Sequence, residues 1–417
     1  MRSSSTLTAP AAAPTAPRRE SLPLVLLLVL GLLSAIAPLA TDLYLPSFVQ
    51  IAGDLDTSSV AVQLTLTAFL AGLTVGQLVF GPVSDRWGRR GPLLVGSAVF
   101  LLASIATVLA PTIGVLIAAR AVQGLAGAAG TVIARAIISD LAAGPPAARA
   151  FSLMMIVGGV APVVAPVLGG ALTDVIGWRG LLAIVMVLAA VMLVAVLLVV
   201  KESFSTSRRS ELRATRDQAA GLGALLRSRA YLGHTITFGF AFAAMMAYIS
   251  ASPFLYQEMM GFGSLGYGLA FGVNALALMI VSGVSASLTS TVPVARLLRL
   301  GLAGASIAVA LGLALSLSGA PVITMTVPIF LAVASMGLIF GNATALALGA
   351  VPGSTGLASA LLGALQFGLA AVVSPLVGLG DGTSALPMAL VMAVCVTVAL
   401  AGQAIARRAR ATTTPMP

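Results

Sequence analysis

Apolar runs of about twenty residues recur from residue 22 almost to the C-terminus, separated by short stretches of charge, glycine and proline. A helix rises 1.5 Å per residue, so about twenty residues cross a hydrocarbon core of about 30 Å. A chain made of such runs takes the bilayer as its solvent, where every backbone polar group needs an internal partner. That leaves helices or a closed barrel. Barrel strands would alternate apolar and polar residues in segments of about ten, and this pattern is absent. Composition agrees: 59% of the residues are hydrophobic and 8% charged, against about 25% charged in soluble domains. The expected fold class is an all-α polytopic membrane protein.

The runs predict twelve transmembrane helices, near 22–46, 58–81, 92–110, 113–137, 149–172 and 180–200, then near 230–254, 264–288, 297–318, 322–347, 355–380 and 385–405. The longest polar stretch, Lys201 to Arg229, holds seven bases and three acids and reads as a linker between two halves of six helices each. Similar lengths of the halves fit a duplication. The expected organisation is a disordered tail 1–21, a first half 22–200, a linker 201–229, a second half 230–406 and a tail 407–417. The run Leu22 to Ala40 follows Arg18-Arg19-Glu20 and superficially resembles a signal peptide, but it is long enough to remain as an anchor.

Charge placement orients the chain. With a cytoplasmic N-terminus, 20 of the 22 Lys and Arg fall in inner segments, Arg120 is embedded, and only Arg179 lies outside. This asymmetry is the positive-inside pattern, so both termini and the linker are expected in the cytoplasm of a cell bearing the chain in its plasma (inner) membrane. Basic residues at helix ends argue against nucleic acid as a partner, despite a net charge of +10. The single cysteine, Cys395, permits no intrachain disulfide and no cysteine metal site. No metal site and no nucleotide-binding loop is found, and no cofactor is expected. His234, the one histidine, is expected at the membrane surface at the start of helix seven.

Two ionisable residues sit within apolar runs, Asp42 and Arg120. A charge at a helix centre costs about 2.5–3.5 kcal/mol on insertion scales, so it faces a polar cavity and has a task, or it forms a structural ion pair. Length places Asp42 about 20 residues from the start of the first helix, in the outer third. Among the uncharged polar residues, Tyr44, Gln63, Gln123, Tyr248, Asn274, Asn342 and Gln366 are candidates to line a substrate cavity, because an amide or phenol facing lipid is costly.

Four motifs carry a resemblance. The loop after helix two reads Gly81-Pro-Val-Ser-Asp85-Arg86-Trp-Gly88-Arg89-Arg90, a charged turn that resembles the loop signature of the major facilitator superfamily. Arg120-Ala-Val-Gln123-Gly124 is similar to the helix-four signature of its proton-driven members. Helix five holds Gly159, Pro162 and Ala165-Pro166-Val-Leu-Gly169-Gly170, which resembles the exporter signature with Ala165 in place of its first glycine. Thr41-Asp42-Leu43-Tyr44-Leu45-Pro46 resembles a segment of the bicyclomycin and chloramphenicol resistance branch, as do Ser252-Pro253-Phe254, Phe271-Gly272, Asn274-Ala275, Asn342-Ala343 and Ala358 to Ala364.

The resemblance implies two pseudo-symmetric six-helix halves that rock about a central site, with efflux of small amphipathic drugs or antibiotics in exchange for protons. It implies proton coupling at Asp42 and Arg120, where an arginine, which does not readily deprotonate, is suited to stabilising the ionised carboxylate or to orienting polar groups. It also implies a cytoplasmic latch from Gly81, Asp85, Arg86, Gly88, Arg89, Arg90, Arg135 and Asp140, and a kinked packing surface at Gly159, Pro162, Pro166, Gly169 and Gly170. Partners are then a small-molecule drug, protons and the lipid bilayer, with a monomer as the expected state. Proton-coupled uptake of a nutrient or metabolite on the same fold is the alternative. An enzyme is not expected, because one histidine, one cysteine and one embedded acid give little catalytic material.

Overall fold

The computed structural model describes residues 22–142, 145–204, 222–351, 355–378 and 384–411. The expected tail 1–21, the centre of the expected linker (205–221) and the last six residues lie outside them. Helix α1 (Leu24–Asp42) continues through a 3-10 turn (Leu45–Ser47) into α2 (Phe48–Asp54). The first half is completed by α3 (Ser59–Trp87), α4 (Arg90–Val108), α5 (Ile113–Leu141) and α6 (Pro145–Val199). After a short α7 (Leu222–Arg227), the second half holds α8 (Arg229–Phe254), α9 (Ser264–Leu288), α10 (Val294–Leu317), α11 (Thr326–Gly349), α12 (Thr355–Val373) and α13 (Leu386–Ala411). The described residues contain no strand.

Eleven helices among the described residues are long and apolar enough to cross a bilayer. One of them runs for 41 residues, Gly159–Val199, about 60 Å of helix and twice the need of one crossing. It breaks at Gly177, where φ is 67° and ψ 176°, a conformation open to glycine. Its two arms act as separate crossings, which gives the twelve expected.

Hydroxyl caps set several starts: Ser58, Thr112 and Ser228 accept from the backbone N–H three residues on, opening α3, α5 and α8. The motif segment from Gly81 differs from the expected turn. Gly81 to Trp87 remain helical and the turn is confined to Gly88 and Arg89, where Gly88 has φ 98° and ends α3. The outer face of the bundle is apolar, with Val95, Leu102, Leu109, Val175 and Leu198 exposed, as a surface solvated by lipid tails requires. Inside, small residues let backbones touch. A Cβ on Gly124 of α5 would fall on the Phe69 carbonyl oxygen of α3.

The two halves repeat one packing plan. In the first, α5 contacts α1, α3 and α4, α4 contacts α6, and α1 lies along α6. In the second, α11 contacts α8, α9 and α10, α10 contacts α13, and α8 lies along α12 and α13. Between halves, α6 meets α9 and α3 meets α12, and exchanging the halves turns one of these seams into the other. The hydrogen bonds that cross between halves among the described residues lie at one end: Gln63 Nε2 to Ser250 O (3.3 Å), Gln257 Nε2 to Pro46 O (2.9 Å) and Ser264 Oγ to Asp174 Oδ1 (2.9 Å). At the other end, Arg135 on α5 and Ser359 on α12 are exposed. Among the described residues the halves are hydrogen-bonded to each other at the first end and not at the second, the closed and the open end in this sense.

Candidate functional site

Asp42 is the last residue of α1 and is only 7% exposed. The helical path does not stop there: Leu43 caps α1 and the chain runs on to Asp54, giving a span of 31 residues, Leu24–Asp54. Twelve residues of that span follow Asp42, through the 3-10 turn and α2. Thr41 Oγ1 is 2.9 Å from Asp42 Oδ1 and 3.0 Å from Pro38 O. Behind this pair, Gly169 of α6 presses on the backbone; a Cβ there would fall on the Leu43 carbonyl oxygen. Across the seam, Tyr267 of α9 is fully buried and within electrostatic reach of Asp42.

Arg120, about two turns into α5, is fully buried. Its guanidinium is layered between the rings of Tyr44 (4.5 Å) and Phe69 (4.4 Å), cation–π contacts worth about 2 kcal/mol or more each when desolvated. Nη1 donates to Gln123 Oε1 (2.6 Å), Gln123 Nε2 donates to Ser104 Oγ (2.8 Å), and Ser104 donates to the Phe100 carbonyl (2.7 Å). The other phenol contact holds the stack in place, since Tyr44 Oη lies 3.0 Å from Thr65 Oγ1. Arg120 and Asp42 make no ion pair. The two embedded charges are therefore separate stations, with Tyr44, two residues beyond Asp42, as the link between them.

At the open end a cluster forms around Arg89. Its Nε bonds Asp140 Oδ2 (2.9 Å), and its Nη1 bonds Asp85 Oδ1 (2.6 Å) and Ser84 Oγ (2.9 Å). Phe204 covers the guanidinium at 4.4 Å. Burial works to lower the Arg89 pKa, but the hydrogen bonds and charges of Asp140 and Asp85 outweigh it and hold the pKa above the ordinary arginine value. Glu202 accepts from the backbone N–H groups of Arg89 (2.8 Å) and Arg90 (3.2 Å) at the N-terminus of α4, a favourable place for a carboxylate. The start of the expected linker is thus packed on the first half. Of the expected latch, Asp85, Gly88, Arg89 and Asp140 come together. Arg90 reaches the Leu197 carbonyl, and Arg86 and Arg135 are exposed with no ion pair among the described residues. Gly81 is part of the helix.

In α6, Pro166, Gly169 and Gly170 form the surface that touches both α1 and α9. A Cβ on Gly170 would meet the Ser264 carbonyl, and one on Gly268 of α9 the Pro166 carbonyl. Pro162 is half-buried, and Gly159 faces open space.

The second half contributes a buried phenol set. Asn274 Nδ2 donates to Tyr248 Oη (2.8 Å) and Tyr256 Oη (3.3 Å), and Tyr267 Oη lies 3.0 Å from Ser252 Oγ. Of the other cavity candidates, Gln63 lies in the closed seam, Asn342 bonds Ser285 Oγ (2.8 Å) within the second half, and Gln366 is half-buried on α12. His234, the sixth residue of α8, is 2% exposed and packed among protein neighbours. Phe69, Ser104, Glu202, Phe204, Tyr256 and Tyr267 carry no functional mark in the sequence. Each is an ordinary apolar-run or linker residue until the fold supplies its partner.

Residues 30–375 match the family model described as Major Facilitator Superfamily. An uncharacterized MFS-type transporter of Bacillus subtilis is 37% identical over 377 residues, covering 90% of this chain and 93% of the relative. A bicyclomycin resistance protein homolog of Haemophilus influenzae is 29% identical over 376 residues, covering 90% and 94%. Among solved structures, a bacterial homolog of the human lysosomal transporter Spinster, inward-facing and occupied, superposes with a TM-score of 0.72 at 16% identity, covering 94% of this chain and 98% of that one. The match of the family model over most of the chain, together with the repeated six-helix plan, establishes that this multi-pass membrane protein belongs to the major facilitator superfamily.

Proposed function

We propose that the chain exports small amphipathic compounds, antibiotics among them, in exchange for protons by alternating access. The observation that carries the reading is Asp42: a carboxyl buried in the span, with no cationic partner among the described residues, where α1 meets both the small-residue surface of α6 and the second half. A carboxyl in such a place gains or loses its proton as its solvation changes, and rocking of the halves supplies that change. With the basic end inside, the closed seam faces outward and the open end faces the cytoplasm, the state in which a drug enters. The proton reaches Asp42 from outside when the seam opens. Arg120, stacked and always charged, shapes the field around the site without carrying the proton. The bicyclomycin resistance homolog supports an antibiotic cargo by likeness.

Direction is tested in inverted membrane vesicles with an imposed proton gradient. Chloramphenicol, bicyclomycin or ethidium added outside should release protons from the vesicle lumen. Release by none of the three overturns the export reading, and proton movement in the same direction as the solute establishes uptake by symport.

A further inference from the structure

The polar groups of the second half are all uncharged at the site, which leaves open how that half senses the protonation of Asp42 in the first. Three observations converge on Tyr267. It lies on α9 beside Gly268, where the absence of a side chain lets α9 close on the Pro166 carbonyl of α6. The same α6 surface carries Gly169, which presses on Leu43 immediately after Asp42, and the 3-10 turn Leu45–Ser47 contacts α9 directly. Finally, the proton of its phenol has a defined place. Ser252 Oγ donates its one proton to the Ile249 carbonyl (2.9 Å), so in the 3.0 Å contact with Tyr267 the phenol is the donor and Ser252 the acceptor.

An ionised carboxylate is a stronger acceptor than a serine hydroxyl, and hydrogen bonds to it are about twice as strong as neutral ones. The present structure holds Tyr267 on Ser252, while Asp42 lies against Thr41.

We propose that Tyr267 is the positioning partner of Asp42 across the seam: its phenol O–H moves from Ser252 to the Asp42 carboxylate when Asp42 loses its proton, and returns when Asp42 is protonated. No bond other than the hydrogen bond is exchanged. The second half thereby reads the charge state of the first, and α8 loses its Ser252 bond to α9 in the charged state while the Asn274–Tyr248 bond between the same helices remains. This rests on the proposed role of Asp42 in proton coupling.

The test uses the full chain in proteoliposomes, with whichever of chloramphenicol, bicyclomycin and ethidium the wild type exchanges fastest. Gradient-driven transport is compared with counterflow, in which cargo exchanges for cargo and no net proton moves. Tyr267→Phe keeps the ring and should lower driven transport about tenfold, the loss of one charge-assisted hydrogen bond, while counterflow stays within about twofold. In an Asp42→Asn background the same change should have no further effect. Equal loss in both modes would assign Tyr267 a packing role and overturn the inference, as would driven transport within about twofold of wild type. Should Tyr267→Phe fail to fold, Ser252→Ala removes the phenol's present acceptor. It should slow driven transport at least about threefold with counterflow kept, and an unchanged ratio overturns the inference. Asp42→Asn with driven transport intact would instead remove the proton-coupling reading itself.

Discussion

Arg120 shows how side-chain geometry outweighs charge at the residue scale. Its planar face lies between two aromatic rings and one nitrogen meets Gln123, features an ammonium group cannot reproduce. Arg120→Lys should therefore reduce gradient-driven transport at least about tenfold in proteoliposomes; wild-type rates would mean that charge alone suffices. Gln123→Leu removes an acceptor from Arg120 and a donor from Ser104, and should cost about 1–3 kcal/mol for each buried group left unmatched, read as a lower Tm in detergent. The sequence made Arg120 and Gln123 legible because a charge and an amide stand out in an apolar run. It did not make Phe69 or Ser104 legible, since a phenylalanine or serine in a membrane helix carries no mark until a partner from another helix meets it. Asp42 and Arg120 both stood out for their cost, yet their separation follows from how α1 and α5 pack, which periodicity does not encode.

Elements meet through two kinds of contact, backbone touching at glycines and charge clustering at helix ends. Around Arg89 the two carboxylates differ in setting: the side chain of Asp140 is 9% exposed and that of Asp85 is 49% exposed. Breaking a buried pair costs about 3–5 kcal/mol, whereas an exposed pair is worth about 0–1 kcal/mol. Asp140→Asn should thus lower thermal stability clearly more than Asp85→Asn, and equal effects would place the two pairs on the same footing. In α6, Gly170→Val collides with the α9 backbone whereas Gly159→Val enters open space. With Cys395→Ala as background, Gly170→Val should raise the labelling of Gln257→Cys by a membrane-impermeant maleimide, by prying the seam apart, and Gly159→Val should not. Similar labelling in both variants would show that the seam does not depend on Gly170. Helix positions were readable from run length, including the match of α9 at 264–288. The end of α3 was not, because the charged residues of the motif suggested a turn from Gly81, while only Gly88 takes the positive φ that ends the helix.

For the whole molecule, the repeated packing plan explains why two seams, α6 with α9 and α3 with α12, join the halves. Rocking about a near-symmetric pair of seams opens one end as it closes the other. Asp42 lies next to one of these seams, whereas the Arg89 cluster joins the first half to the start of the linker, so the motion can change the solvation of the carboxyl while that cluster keeps its partners. The twelve crossings and the two halves are legible in the sequence, because length and charge placement determine them. The proposed link from Asp42 to the second half was not legible, because Tyr267 stands 225 positions away and the α6–α9 seam that joins its helix to the first half is a tertiary contact. The central claim is that Asp42 carries the proton whose gradient drives transport. Its most direct test reconstitutes the wild type and Asp42→Asn side by side and compares cargo accumulation driven by a pH gradient with gradient-free counterflow. The account predicts that Asp42→Asn abolishes accumulation and retains counterflow, and accumulation at the wild-type level would contradict it.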